Sequence, residues 1–298
     1  MVELKQKEIA QQLMTSGHLA CPGCAAPLAM RWALDILGNR TVVSLPASCF
    51  SIISGTFPYS ALSVNLVHTA FETAAALATG LKAGLEMTGR GDAPVMAWAG
   101  DGGTFDIGLQ ALSGAMERGE DILFVCYDNE AYMNTGNQRS SATPRLSFTT
   151  TTPRGEAGEK KDILAIVAAH KIPYAASASV AFPEDFKAKV KKAKDIRGTK
   201  FIHILSSCPT GWQMASDLTI TAARLAVTSS VFPLMEIFDG ERTVLNFLPD
   251  PRVSVKRYLE MQGRFSRLSP EEIDDVERRI DIRWKRLVER AESVFIYK

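Results

Sequence analysis

The sequence has no long hydrophobic run and almost no excess of charge of either sign. No apolar stretch approaches the roughly 20 residues that a helix needs to cross a bilayer, so we expect no membrane span. The 34 Lys and Arg nearly balance the 33 Asp and Glu, which gives no reason to expect a nucleic-acid or membrane-surface partner. Internal repeats and low-complexity tracts are also missing. With 46% apolar residues among 298, the chain can bury a sizeable core.

Cysteine is scarce, and the five cysteines are an odd number. The N-terminal stretch MVELKQKEIAQQL is polar and amphipathic, unlike the apolar centre of a secretory signal. An odd cysteine count without such a signal argues against a disulfide framework and for a reducing compartment. We therefore expect a cytoplasmic protein.

Short apolar segments alternate with helical patterns along the first two thirds of the chain. This alternation predicts an α/β fold with a doubly wound, mostly parallel sheet and helices on both faces. Strands are predicted near 41–46, 94–99, 122–127, 173–178 and 200–205, and helices near 25–37, 69–88, 105–118, 161–170 and 183–195.

Beyond Trp212 the pattern weakens, and we divide the chain into residues 1–215 and a helical or irregular extension over 216–298. The extension should pack on the same domain or on a partner subunit. It is predicted to hold a helix at 217–230 and an irregular arm at 233–262. A last helix has a capping box and an apolar stripe that would dock onto this chain or a neighbour; the box is Ser269, Pro270 and Glu272, and the stripe is Ile273, Val276, Ile280, Trp284 and Leu287.

Polar residues and glycines follow two of the predicted strands, at the point where each strand ends. Gly100-Asp101-Gly102 follows the first of the two, and Asp128-Asn129 follows the second. Because the carboxyl ends of parallel strands meet at one edge of a sheet, these residues should lie side by side. The glycines let backbone amides approach an anion, and Asp101 and Asn129 offer oxygen ligands to a hard cation. A Gly-Asp-Gly turn alone is more often only a turn, but the pair predicts a metal ion beside a phosphate group.

Four of the five cysteines have positions that suit a metal centre. Cys21 and Cys24 have the spacing that lets two thiolates share one centre, and Cys49 and Cys208 each follow a predicted strand. The Cys208-Pro209 pair is typical of the last ligand of an iron–sulfur cluster. Cys126 lies inside a strand and is interpreted as a small core residue. The residues alone leave three alternatives open: a cluster, a four-thiolate zinc site, or unconnected cysteines that include a redox CxxC pair.

These motifs, in this order, resemble the beta subunits of 2-oxoacid:ferredoxin oxidoreductases, most closely the multi-subunit pyruvate:ferredoxin oxidoreductases. The resemblance covers roughly residues 15–215 and continues more weakly through 262–265. It departs from many relatives at Ala25-Ala26 and at Ser48, small changes that would tune a cluster without removing a ligand. The motifs that carry it are the segments 17–24, 68–72, 100–103, 127–136 and 208–212, together with Cys49.

The resemblance implies three bound groups in residues 1–215: thiamine diphosphate, Mg²⁺ and one [4Fe–4S] cluster. The side chains of Asp101 and Asn129 and the carbonyl of Ala131 would bind Mg²⁺, which would hold the diphosphate. Asn134 would face the substrate near its reacting carbon. The cluster ligands would be Cys21, Cys24, Cys49 and Cys208; the residues placed against thiamine diphosphate are Gly100, Gly102, Gly103, Thr104, Cys49 and His68.

His68 and Glu72 are four residues apart at the start of a predicted helix, on one face. A local polar pair is the plainer interpretation of these two residues, and cofactor contact by His68 is the alternative.

The implied activity is oxidative decarboxylation of a 2-oxoacid, pyruvate by default, with coenzyme A to an acyl-CoA and CO₂. Electrons would pass to the cluster and then to ferredoxin or another acceptor. One doubly wound unit leaves no room for the domain that binds the aminopyrimidine ring, so an alpha-type subunit would supply it. The chain has no CxxCxxC run, so further clusters would belong to other chains, in gamma- and ferredoxin-like delta-type subunits.

Three alternatives stay open beside this activity. In the first, the substrate is an aryl or branched-chain 2-oxoacid instead of pyruvate, because another chain also lines the pocket and helps to select the substrate. A non-redox thiamine enzyme subunit with structural zinc would use Asp101 and Asn129 in the same way. A zinc-stabilised binding module would keep the fold without redox chemistry.

Overall fold

The strands of this chain lie side by side in one sheet, and most of them run parallel. The computed structural model describes residues 12–291 and 293–294. Within these residues the sheet has nine strands in the order β2-β1-β3-β4-β6-β5-β7-β8-β9. They are β1 (Val42–Pro46), β2 (Asn65–Thr69), β3 (Val95–Gly100), β4 (Leu123–Asp128), β5 (Tyr174–Ser179), β6 (Lys200–Leu205), β7 (Met235–Phe238), β8 (Arg242–Leu245) and β9 (Ser293–Val294).

Helices connect the strands and cover both faces of the sheet. They are α1 (Ala26–Leu37), α2 (Cys49–Ile53), α3 (Ala74–Met87), α4 (Leu109–Glu117), α5 (Ile163–Ala168), α6 (Pro183–Asp195), α7 (Pro209–Trp212), α8 (Thr219–Thr228), α9 (Val255–Glu260) and α10 (Pro270–Arg290). Short 3₁₀ turns at Ser216–Leu218 and Gly263–Phe265 and a π-helical turn at Gly102–Asp106 complete the chain.

The central strands are buried on both faces, which is why their sequences are near-continuous apolar runs. Every residue of β1, β3, β4, β5 and β6 is buried. Alternate residues such as Val43 and Met96 pack against α1 and α6, whereas Ala97 and Phe124 face the side of α3, α4 and α5. The predicted doubly wound, mostly parallel sheet is therefore confirmed.

Two short elements near the first cysteines were not predicted. The edge strand β2 and the helix α2 have five residues each, too few for a clear period. Because residues 65–69 form β2, the helix predicted over 69–88 begins only at Ala74. The placement of His68 and Glu72 on one helical face is wrong, since His68 lies exposed in β2 and Glu72 lies in the following turn.

The predicted irregular arm over 233–262 instead contains three regular elements, β7, β8 and α9. β7 pairs antiparallel with β5, and β8 pairs antiparallel with β7, so this segment extends the main sheet. The capping box of α10 is confirmed, with mutual hydrogen bonds between Ser269 and Glu272. The apolar stripe of α10 packs on this chain, with Leu287 against the helices around α4 and Ile280 against α8 and α9. No described helix is long and apolar enough to cross a membrane.

A buried carboxylate in β7 joins the added strands to the rest of the fold. Glu236 accepts hydrogen bonds from Lys192 at 2.5 Å, from Tyr174 at 2.7 Å and from Asn246 at 2.8 Å. Burial opposes ionisation, but these donors hold the pKa of Glu236 below its ordinary value. A lowered folded-state pKa means that the carboxylate stabilises the fold above its unfolded pKa of about 4.3, and that this contribution is lost as the pH falls.

Replacing Glu236 by Gln should therefore lower the free energy of unfolding by about 2 kcal/mol at pH 7. The difference from wild type should stay constant down to about pH 4.3 and shrink as the pH falls below it, measured by denaturant unfolding from neutral to acidic pH. Glu241→Gln is the matched control, because Glu241 pairs with Lys171 at the exposed surface and should change stability little. A constant loss at every pH would contradict the electrostatic explanation.

Candidate functional site

The sequence motifs meet at one edge of the sheet because β1, β3, β4 and β6 all end there. Cys49 follows β1, Asp101 follows β3, Asn129 follows β4 and Cys208 follows β6. The strand order reverses between β1 and β3, since β2 lies outside β1 and β4 lies outside β3. Such a reversal opens a crevice at the carboxyl ends of the strands, where α/β sheets bind ligands.

The glycines after β3 form a tight π-helical turn packed beneath two aromatic rings. A Cβ on Gly102 would overlap the ring of Tyr132, and one on Gly103 would lie 3.3 Å from the ring of Phe71. Thr104 is fully buried, and its hydroxyl donates to the carbonyl of Gly100 at 2.8 Å. The hydroxyl of Thr104 is thus used inside the turn, and its contact with a diphosphate stays a prediction. Turns of the π type are frequent at functional sites.

Asp101 is a buried carboxylate, and among the described residues no cationic side chain forms a salt bridge with it. The hydroxyl of Ser140 donates to its Oδ2 at 2.5 Å. Burial and the nearby charge of Asp128 raise the pKa of Asp101 well above its ordinary value. A cation bound beside Asp101 would favour the ionised form that burial disfavours. Ser140 lies outside every motif, so no local pattern marked it as a site residue.

The turn after β4 carries the second predicted ligand set. Glu130 adopts a φ of 70° in the left-handed region, which closes a turn from Asp128 to Ala131. Asp128 accepts from the amide of Glu130 at 2.8 Å, and Asn129 Oδ1 accepts from the amide of Ala131 at 3.3 Å. Asn129 and Ala131 therefore lie next to each other at the end of β4.

A buried network of charged groups supports this turn, and the cofactor motifs did not predict it. Asp128 accepts from Lys160 at 2.5 Å and from His203 at 2.8 Å, whereas Glu130 accepts from Lys160 at 2.9 Å and from Arg264 at 2.5 Å. Burial opposes the ionisation of Asp128, but Lys160 and His203 lower the pKa of this carboxyl to about 2. The weak resemblance over 262–265 was the one signal that pointed to Arg264.

The long connection after β4 packs against this edge. Over residues 140–159 it has no regular strand or helix, yet Ser140, Thr143 and Ser147 are buried. Thr143 donates to the carbonyl of Glu130 at 2.8 Å. The loop therefore covers both Asp101 and the turn that holds Asn129.

Backbone hydrogen bonds join the three segments that carry the four predicted cysteine ligands. The amide of Ala25 donates to the carbonyl of Ser207 at 3.4 Å, which ties the Cys21–Cys24 turn to the residue before Cys208. The amide of Leu19 donates to the carbonyl of Ile53 at 3.3 Å, which ties the same turn to α2. These bonds make neighbours of segments that lie far apart in the sequence.

The raised pKa values of two of the thiols are consistent with neighbouring cysteine segments. Burial, and then the charges of Cys208, Cys24, Asp101 and Cys21, raise the pKa of Cys49 to about 12. Burial and the neighbouring thiols likewise raise the pKa of Cys24 to about 12. Without a metal these thiols are neutral at pH 7, and thiolates here require a nearby positive charge. Cys126 lies fully buried in β4, as predicted.

The remaining predicted residues lie around this edge with fewer contacts. His68 is exposed near the end of β2, and Asn134 is exposed in the loop after Tyr132. His18 accepts from the amide of Ala20 at 3.4 Å. Between residues 12 and 291, no three His, Cys, Asp or Glu side chains form a compact site for a single ion. The Mg²⁺ ligands and the four cysteine ligands therefore stay predictions, as do the roles of His68 and Asn134.

The close packing around Gly102 predicts a measurable cost for any side chain there. Replacing Gly102 by Ala should lower the free energy of unfolding by about 1–3 kcal/mol, because the new methyl group overlaps Tyr132. Thermal or denaturant unfolding measures this loss. Gly84→Ala is the control: Gly84 lies in α3, no atom lies within 4 Å of the place that its new methyl group would take, and alanine favours the helix by up to about 1 kcal/mol. Equal stability of both variants would contradict the packing argument.

Comparison with known proteins identifies the family. Residues 47–204 match the family described as thiamine pyrophosphate enzyme, C-terminal TPP binding domain. The ketoisovalerate oxidoreductase subunit VorB of Pyrococcus abyssi is 48% identical, with 93% of each chain covered. The pyruvate synthase subunit PorB of Methanothermobacter marburgensis is 45% identical, covering 91% of this chain and 96% of its own.

A solved structure of a 2-oxoglutarate:ferredoxin oxidoreductase from Magnetococcus marinus has a TM-score of 0.58 and 22% identity. It covers 75% of this chain and 84% of that one, which supports the fold alone. The thiamine pyrophosphate domain and the relatives above 40% identity, matched over nine-tenths of the chain, place this chain among the beta subunits of the multi-subunit 2-oxoacid:ferredoxin oxidoreductases.

Proposed function

We propose that this chain catalyses, within a hetero-oligomer, the oxidative decarboxylation of a 2-oxoacid with coenzyme A to an acyl-CoA and CO₂. Electrons pass to a [4Fe–4S] cluster and on to ferredoxin or another acceptor, with pyruvate as the default substrate. One observation carries the proposal: the segments of Cys21, Cys49 and Cys208 converge beside Asp101 at the switch point of the sheet.

The residues at the ends of β3 and β4 fit a Mg²⁺ ion and a diphosphate. Asp101, Asn129 and the carbonyl of Ala131 would hold the metal, and the backbone amides of the turn at Gly102 and Gly103 would donate to the diphosphate. The buried carboxylate of Asp101 supports the fit, because a cation offsets the cost of its ionisation. Thiamine diphosphate, when bound, supplies the electron sink for decarboxylation.

This chain's own residues would orient the groups and exclude water. Ser140 fixes Asp101 Oδ2 through a 2.5 Å hydrogen bond, and the loop that carries it covers the edge of the sheet. Asn134 is exposed, which suits the proposed role of a side chain that meets substrate at a subunit boundary. The four thiols would hold the cluster, whose iron supplies the positive charge that favours the thiolates of Cys24 and Cys49, whose pKa values are raised by burial.

Partner subunits complete the proposed enzyme. An alpha-type subunit would supply the pyrimidine-binding domain, and gamma- and ferredoxin-like delta-type subunits would carry electrons onward. Exposed apolar side chains beside the cysteine segments support a subunit contact there: Leu19, Ile52, Phe57 and Tyr59 are 53–93% exposed. The free thiols support a reducing compartment, and we propose the cytoplasm.

A branched-chain 2-oxoacid is the second candidate substrate. The relatives with 47–48% identity are named for ketoisovalerate, and those with 45% are named for pyruvate. A panel of 2-oxoacids, tested on the co-purified complex with coenzyme A and a viologen dye, separates the two by their kcat/KM values. Absence of dye reduction with every 2-oxoacid would contradict the proposed function itself.

The cluster can be tested by replacing Cys208 with Ser. We expect the purified complex to lose most of its iron, the electron paramagnetic resonance signal of the reduced cluster, and dye reduction. Cys126→Ala is the control, because Cys126 lies in the core of β4, and its complex should keep iron and signal. Stoichiometric zinc instead of iron in the wild type, or activity that survives Cys208→Ser, would favour the zinc or non-redox alternative.

Ser140→Ala tests the metal site through the residue that orients Asp101. Loss of an orienting hydrogen bond to a metal ligand typically weakens metal affinity 10–100-fold. We expect the Mg²⁺ concentration that supports thiamine diphosphate binding to rise 10–100-fold in Ser140→Ala, measured by calorimetry on the complex. Ser147→Ala is the control from the same loop, since Ser147 donates to the carbonyl of Pro144. Equal Mg²⁺ dependence in both variants would contradict metal binding by Asp101.

A further inference from the structure

The short helix α7 connects the proposed cluster ligand Cys208 to the loop of the proposed metal site. Cys208 is the N-cap of α7, and its Sγ accepts from the amide of Gly211 at 3.4 Å. Trp212 ends the helix, is 1% exposed, and donates its indole N–H to the carbonyl of Asn129 at 3.0 Å. One turn of helix thus has a thiol at its start and a bond to the metal-site loop at its end.

A second contact joins the same two segments at Gly211. A Cβ on Gly211 would overlap Sδ of Met133 and would lie 3.5 Å from Sγ of Cys208. The thioether of Met133 therefore fills the space that a side chain on Gly211 would take. Met133 belongs to the loop that begins at Asn129, so packing and hydrogen bonding connect the two segments independently.

Arg264 also contacts both segments, through Trp212 and Glu130. Its guanidinium lies 4.3 Å from the centre of the Trp212 ring, a cation–π distance. It also donates to Glu130 at 2.5 Å and to Gln262 at 2.9 Å, and only 4% of the residue is exposed. Arg264 therefore binds the indole and the residue next to Asn129 at the same time.

The charges around Arg264 show why this arrangement is rigid. Glu130 is shared by Arg264 and Lys160, and Lys160 also binds Asp128. Two carboxylates thus face two cations in a buried network. Removal of one member leaves another charge without its partner, which is costly in the interior. Arg264 and Trp212 consequently have one well-defined position relative to Asn129.

We propose that Trp212 and Arg264 are positioning residues that fix the metal-site loop and Cys208 relative to each other, so that the two cofactor sites of this subunit are coupled. Neither residue touches the reacting atoms; Trp212 acts through Asn129, and Arg264 acts through Trp212 and Glu130. The inference rests on the proposed function. It adds that a change at α7 alters both metal affinity and the redox properties of the cluster.

Trp212→Phe removes the indole N–H and keeps a ring against Arg264. In the co-purified complex we expect iron content to stay at the wild-type level while the Mg²⁺ requirement for thiamine diphosphate binding rises 10–100-fold. Trp98→Phe is the matched control, because Trp98 is equally buried and no described group accepts from its Nε1. An unchanged Mg²⁺ requirement in Trp212→Phe would overturn the proposal.

Arg264→Met and Arg264→Lys separate charge from geometry. Removing a buried positive charge destabilises the reduced, more negative cluster, so Arg264→Met should shift the midpoint potential downward in a redox titration followed by electron paramagnetic resonance. Arg264→Lys should restore the potential, because it keeps the charge. It should not restore Mg²⁺ affinity, because lysine lacks the planar fork that binds Glu130 and stacks on Trp212.

The outcomes distinguish this proposal from the proposed function. A wild-type complex that holds no iron, or binds no Mg²⁺ and thiamine diphosphate, would overturn the proposed function. Suppose that both Arg264 variants keep the wild-type cofactor content, cluster midpoint potential and Mg²⁺ affinity. That result would overturn the proposed coupling and leave the proposed function intact. If Trp212→Phe fails to assemble, the Arg264→Lys complex decides the question, since it keeps the buried charge and alters only the contact geometry.

Discussion

The burial of three carboxylates at the carboxyl edge of the sheet is the constraint on which the rest of the site depends. Asp128 and Glu130 pair with Lys160 and Arg264, and Asp128 also accepts a hydrogen bond from His203; these partners come from distant parts of the chain. Asp101 is contacted by the hydroxyl of Ser140, and among the described residues no cationic side chain pairs with it. The charge of Lys160 lowers the pKa of Asp101 less than burial and Asp128 raise it, so a cation bound beside Asp101 would favour its ionised form.

The same network explains why the C-terminal part of the chain matters for the site. Arg264 lies beyond the motifs, in the 3₁₀ turn after α9, yet it reaches Glu130 and Trp212. The strands β7 and β8 and the helix α10 hold this region on the main sheet. Residues 216–298 therefore supply a buried charge to the edge where the cofactor motifs meet.

Packing constrains the site as much as charge does. Gly102 and Gly211 both lie where a neighbouring side chain, Tyr132 or Met133, occupies the space of a Cβ. In each case the glycine is required by close approach and not by a positive φ. Both neighbours come from the loop after Asn129. This one loop therefore packs against the turn after β3 and against the helix after Cys208.

Local patterns in the sequence determined the elements that are long or strongly marked. The five central strands and the capping box of α10 depend on residues close together in the chain, and each was predicted correctly. The five-residue elements β2 and α2 were missed because such short segments show no clear period. The strands β7 and β8 were missed because each has only four residues, too few to show a clear period.

The tertiary structure alone decided which residues support the motifs. Ser140 meets Asp101 across 39 positions, and Arg264 meets Glu130 across 134. No local preference encodes such contacts, because they depend on how loops and turns return to the edge of the sheet. The sequence by itself determined what kinds of ligands stand at the ends of the strands. Only the folded chain determined how their charges are balanced, since that balance arises between groups brought together by the whole topology.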